Sequence, residues 1–176
     1  AGQPSFYQAI QAAGYFTTNH KKQDFNFTSQ ADGKFDKGAD WRARSDVRQP
    51  FFHMQSHTNS HEGSLQFPEG DFDGDATSHD PAEVVLADYH PDTERFRYTH
   101  ARYLDNIQAI DGIVGDVLGR LEEDGLLEDT FVFYFSDHGG VLPRGKGYAY
   151  DNGLHVPLVV RVPANFRHLV PDAVPG

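Results

Sequence analysis

The feature that most constrains the fold is a long apolar stripe that ends at a glycine and gives way to an apolar run. Tyr103, Ile107, Ile110, Val114, Val117 and Leu121 recur at intervals of four and three, the spacing that lines one face of an α-helix. Gly125 is placed to stop that helix. Thr130-Phe-Val-Phe-Tyr-Phe-Ser136 then reads as a strand buried on both faces, and His155-Val-Pro-Leu-Val-Val-Arg-Val as a second. Pro157 puts that second strand at a sheet edge or marks its start. Helices alternating with buried strands predict an α/β layer architecture with a mostly parallel sheet and helices on both faces.

The N-terminal part carries the same alternation more weakly. Ser5 is a helix N-cap before Phe6, Ile10 and Ala13, and Gly14 ends a short helix over residues 6–13. Tyr15-Phe-Thr-Thr and Pro50-Phe-Phe-His-Met-Gln read as strands, with irregular structure over residues 28–46. Residues 69–94 hold nine acids and no Lys or Arg. Asp71-Phe-Asp73-Gly-Asp75 resembles the start of a calcium loop, but Ala76 and Ala82 stand where an EF-hand needs Gly and Glu. The stretch is read as an acidic surface loop. Trp41 and Met54 are read as core residues.

Charge and length exclude several classes. A net charge of -11 over 176 residues leaves no basic face for nucleic acid. No apolar run approaches the ~20 residues of a membrane span. Zero cysteines exclude disulfides, zinc–thiolate sites and a cysteine nucleophile within these residues.

The strand 130–136 stops at Ser136-Asp137-His138-Gly139-Gly140. Ligands in open α/β sheets sit beyond the carboxyl ends of strands, so Asp137 and His138 stand where a site is expected. A carboxylate followed by an imidazole, with two glycines letting the backbone turn, suits a divalent cation. His53, His57 and His61 form a second, looser cluster that could be surface histidines or a chance transition-metal site.

The run from Tyr103 to Pro163, with Ser136-Asp-His-Gly, Gly145-Lys-Gly-Tyr-Ala-Tyr-Asp-Asn-Gly and Val156-Pro-Leu in order, resembles the sulfatase family of the alkaline-phosphatase-like superfamily. Ala13-Gly-Tyr-Phe-Thr-Thr and Pro50-Phe-Phe with Ser60-His61-Glu62 resemble two further segments of that family. The wording PRGKG is similar to the bacterial branch related to heparan N-sulfatases. The resemblance implies the alkaline-phosphatase-like α/β fold, with residues 1–176 as the central portion of one such domain. It implies hydrolysis of a sulfate ester or sulfamate on a small molecule or glycan, with a phosphatase, a phosphonate hydrolase or a non-catalytic glycan-binding domain as alternatives. Family members are commonly exported or lysosomal.

Carried over position by position, the resemblance makes Asp137 and His138 two ligands of a single divalent ion, usually calcium. Lys146 matches the lysine that contacts the sulfate, and Lys22 the lysine that binds the nucleophile and a sulfate oxygen. His61 matches the histidine that protonates the leaving oxygen. Asp24 stands at a substrate-binding position where the family has histidine. Asp111 matches a family position inside the long helix and is read as structural. The family's nucleophile is a formylglycine made within Cys/Ser-x-Pro-x-Arg, and none of the eight serines here sits in such a string. The expectation is therefore a central fragment, inactive alone, whose nucleophile and remaining metal ligands lie upstream.

Overall fold

The structure, a computed structural model, describes residues 4–20, 22, 36–68, 72 and 76–171. The chain divides into two compact units, residues 1–57 and 58–176.

The first unit is a three-stranded parallel sheet in the order β2-β1-β3, with β1 over Phe16–His20, β2 over Asp36–Lys37 and β3 over Phe51–Gln55. β1 pairs with β3 from Phe16 opposite Phe51 to His20 opposite Gln55. Helix α1, Phe6–Ala12, leads into it. Ser5 and Gln8 close a reciprocal capping box at the start of α1, and Gly14 takes the left-handed φ of 89° that ends it. The helix meets the sheet through rings: Phe6 and Tyr7 stand edge-on to Phe52, at 5.2 and 5.8 Å. The Tyr7 hydroxyl donates to Met54 Sδ at 2.9 Å. Trp41, 1% exposed, stacks on Phe51 and lies edge-on to His53. The central strand is unusual in burying Thr17, Thr18 and Asn19. Two of these are satisfied locally, Thr17 by Gln11 and Thr18 by His53, each at 2.7 Å.

The second unit is organised by α2, Glu94–Glu123, a helix of 30 residues and about 45 Å. Thr93 caps its start. At its end Gly125 adopts φ 69°, and Leu126 N–H donates to the Leu121 carbonyl while Gly125 N–H donates to Glu122. The stripe expected from Tyr103 onward is present, but the helix begins nine residues earlier and also buries Tyr98 and Ala101. The acidic segment before it holds no helix or strand among the described residues and is tied down rather than free. Asp105 of α2 accepts from the backbone N–H groups of Ser78 and His79 and contacts the His79 ring at 2.6 Å. Arg97 reaches the carbonyls of Ala82 and Val84. Asp71, Asp73 and Asp75, the calcium-like start, lie outside the described residues.

β4, Val132–Phe135, pairs with β5, Leu158–Arg161, in an antiparallel two-stranded sheet, from Val132 opposite Arg161 to Phe135 opposite Leu158. Among the described residues the first unit thus holds a small parallel sheet and the second a small antiparallel one, with helices, a part of the α/β fold expected. One expectation needs correction: β4 is not buried on both faces. Val132 and Tyr134 are half-buried, whereas Phe133 and Phe135 are about 60% exposed. An apolar run records what a strand can bury; among the described residues β5 is its one paired neighbour, and Phe133 and Phe135 stay largely exposed. Pro157 precedes β5, the strand-start position expected of it. No helix among the described residues is long and apolar enough to cross a membrane.

Candidate active site

Helix α2 supports two loops side by side. The first is the turn after His61. His61 is the N-cap of a short 3-10 turn over Glu62–Leu65, and its Nδ1 accepts the Gly63 N–H at 3.2 Å. Ser64 donates its hydroxyl to the His61 carbonyl, and α2 grips that serine twice, through Arg102 to its carbonyl and Asn106 to its Oγ. With Nδ1 used as an acceptor, the neutral His61 ring carries its proton on Nε2. That atom is 3.9 Å from Glu62 Oε1.

The second loop runs from the end of β4 to α3, Asp151–Leu154. It folds by packing backbone against backbone where side chains would not fit. A Cβ on Gly139 would lie 1.7 Å from the Asn152 carbonyl oxygen, one on Gly145 1.8 Å from that of Gly140, and one on Gly153 2.1 Å from that of Tyr148. Gly140 lies against Tyr103 of α2, whose hydroxyl a Cβ would approach to 2.7 Å. Within this frame Gly139 N–H donates to the Gly153 carbonyl and Lys146 N–H to the Gly140 carbonyl at 2.7 Å. Of the glycines that marked the motif in the sequence, Gly139, Gly140, Gly145 and Gly153 are therefore packing requirements, and Gly147 is needed for its left-handed φ of 85°.

The two loops meet at an ion pair. Lys146 Nζ is 2.5 Å from Glu62 Oε2, with both side chains between a third and a half exposed. The Lys146 hydrogen bond and charge, helped by the rings of His61 and His138, hold the Glu62 carboxyl below its ordinary range. Three sequence-predicted residues, His61, Lys146 and His138, thus lie within electrostatic reach of one carboxylate that sequence reasoning gave no role. The Ser-His-Glu string contained it, but nothing in the string says that Lys146 folds onto it.

His138 and Asp137 close the other side of this loop. His138 Nδ1 is 2.8 Å from the Gly139 carbonyl oxygen, which can only accept. Nδ1 therefore carries the hydrogen and Nε2 presents a lone pair. That lone pair is 3.6 Å from Asp137 Oδ1, on a side chain that is 80% exposed. Two acceptors facing each other fit a cation between them. Among the described residues no group of three or more His, Cys, Asp or Glu side chains is gathered for a metal. This includes His53, His57 and His61.

Lys22 belongs to the first unit and lies exposed just beyond β1, its carbonyl accepting from Asn19. Asp24 lies outside the described residues. Asp111 is exposed on α2. Beside the glycine loop is a cavity of about 280 Å³ with Gly140 and Gly145 on one wall and Tyr89, His100, Tyr103 and His155 among the others.

Comparison with known proteins supplies the family. A sulfatase family model matches residues 34–174. An ulvan-active sulfatase of Formosa agariphila is 34% identical over 187 residues, covering 88% of this chain and 31% of that protein. Mouse steryl-sulfatase is 36% identical over 95 residues, covering 44% and 15%. Human N-sulphoglucosamine sulphohydrolase is 34% identical over 86 residues, covering 49% and 17%. The chain spans less than a third of the length of these relatives.

Proposed function

The chain belongs to the sulfatase family, and on that premise we propose that the whole protein hydrolyses a sulfuric ester or a sulfamate. The observation that supports this most is the meeting of Lys146 with the carboxylate next to His61, which gathers a cation and a proton donor from two loops on one helix. In the net reaction the sulfuryl group passes from the leaving oxygen or nitrogen to water: the bond from sulfur to the leaving atom breaks, and the leaving atom takes a proton. Charge grows on the sulfate oxygens and on the leaving atom as this happens. Lys146 meets the first, as lysine clamps do in phosphoryl transfer. His61, with its hydrogen on Nε2, supplies the proton to the second. Lys22 binds a sulfate oxygen and the nucleophile, and Asp24 contacts the substrate.

Asp137 and His138 would hold one divalent ion, calcium by resemblance to the family, through Asp137 Oδ1 and His138 Nε2. When bound, such an ion would supply positive charge that polarises the sulfate. The imidazole is a softer ligand than calcium usually takes. The remaining ligands and the formylglycine nucleophile come from outside these 176 residues, which alone are inactive. The cavity beside Gly140 and Gly145, with histidine and tyrosine on its walls, gives a hydroxylated leaving group such as a sugar a place to lie.

Divalent-ion stoichiometry in the full natural chain tests the reading. One ion per chain is expected. Two would favour a phosphatase or phosphonate hydrolase of the same superfamily, and none a non-catalytic glycan-binding domain.

A further inference from the structure

A carboxylate beside a site for an anion needs an explanation. Glu62 repels sulfate, and it occupies one of the three N–H donors of the lysine assigned to that sulfate. Its surroundings show what it does for that lysine. Lys146 is flanked by Gly145 and Gly147, the second at φ 85°, and its backbone is tied by one hydrogen bond to Gly140. Beyond Cα its side chain has four rotatable bonds, worth about 2 kcal/mol of rotamer freedom when free. Among the described residues Glu62 is the one carboxylate within ion-pair distance of its ammonium. Glu62 sits on a firm base, in the first turn of a 3-10 segment capped by His61 and held to α2 through Ser64, Arg102 and Asn106.

We propose that Glu62 is the positioning residue for Lys146, holding its ammonium where the remaining N–H donors face the substrate sulfate. This rests on the reading of Lys146 given above and adds a residue to it. It carries a distinctive consequence. Removing the Glu62 charge lifts a repulsion on the bound anion while it frees the lysine, so ground-state binding and turnover move apart. A residue that merely kept the loops folded would damage both together.

The test uses the full natural chain with 4-nitrophenyl sulfate as substrate, comparing wild type, Glu62→Gln, Glu62→Asp, Lys146→Ala and the double variant Glu62→Gln/Lys146→Ala. Glu62→Gln is expected to lower kcat about tenfold with KM unchanged or lower. Glu62→Asp, which keeps the charge on a shorter arm, recovers part of kcat. The double variant is no slower than Lys146→Ala alone, because a residue that acts through Lys146 has nothing left to position. A Glu62→Gln kcat within twofold of wild type overturns the proposal. So does a loss carried by a rise in KM, or a double variant several-fold slower than Lys146→Ala. The premise is checked separately. Lys146→Ala should lose about 100-fold or more; wild-type turnover in that variant removes Lys146 from the site whatever Glu62 does.

Discussion

Substituting Gly145 with alanine tests how the glycine loop positions Lys146. The new Cβ would lie 1.8 Å from the Gly140 carbonyl oxygen and 3.0 Å from that of Leu142. Ordinary contact begins near 3.4 Å, so the Gly140 carbonyl would have to retreat by about 1.6 Å. That same oxygen accepts the Lys146 N–H at 2.7 Å, so the substitution strikes the atom from which Lys146 hangs. A lost backbone hydrogen bond costs about 1 kcal/mol, and overpacking a tight site about 1–3 kcal/mol. In a chain about three times as long as these 176 residues, as the relatives are, a total near 3 kcal/mol lowers Tm by about 3 °C, at about 1 °C per kcal/mol. If Lys146 stabilises charge as proposed, a displacement of this size costs turnover about 100-fold. Gly115→Ala is the control. Gly115 is exposed on α2 and a Cβ there meets nothing within 4 Å. It should gain about 0.8 kcal/mol from helix propensity and leave kcat alone. Thermal unfolding and aryl sulfate turnover in the full natural chain provide both readings. A Gly145→Ala protein with wild-type kcat and a Tm unchanged from wild type would refute the packing argument, whatever the control does.

Two further outcomes follow from hydrogen bonds away from this loop. Burial pushes the Asp105 carboxyl up, but the His79 ring and the N–H groups of Ser78 and His79 outweigh it and hold the carboxyl below its ordinary 3.8. Its stabilising effect is therefore complete above that value and lost as pH falls through the lower folded one. Asp105→Asn should remove that share of the acid-side fall in stability, measured as Tm between pH 2 and 6; an unchanged acid limb would count against the pairing. Ser5→Ala breaks the capping box of α1 and should cost about 1 kcal/mol in urea unfolding, and no change in midpoint would show that α1 does not depend on its cap.

Much of the local structure was legible because it depends on short-range signals. Ser5 and Gly14 marked both ends of α1, and Gly125 the end of α2, since caps are local chemistry. The start of α2 was missed because Glu94–Arg102 interleaves charges with rings, and the inward residues there include only Tyr98 and Ala101. The burial of β4 was over-read. Phe131, Phe133 and Phe135 on one face and Val132 and Tyr134 on the other show a strand able to bury both, but periodicity does not say what covers them. At the site, the motif picked out Lys146, Asp137, His138 and His61, and the structure supplies the tautomers through Gly63 and Gly139. Glu62 stayed invisible because it meets Lys146 only through the approach of two loops 84 positions apart, held by Tyr103, Arg102 and Asn106 of one helix.

The central claim is that these loops serve the hydrolysis of a sulfate rather than a phosphate. The most direct measurement is kcat/KM of the full natural chain, loaded with its divalent ion, on 4-nitrophenyl sulfate and on 4-nitrophenyl phosphate. Turnover of the sulfate with a clear preference over the phosphate is the predicted result. A folded, ion-loaded protein that hydrolyses the phosphate and leaves the sulfate intact would contradict it.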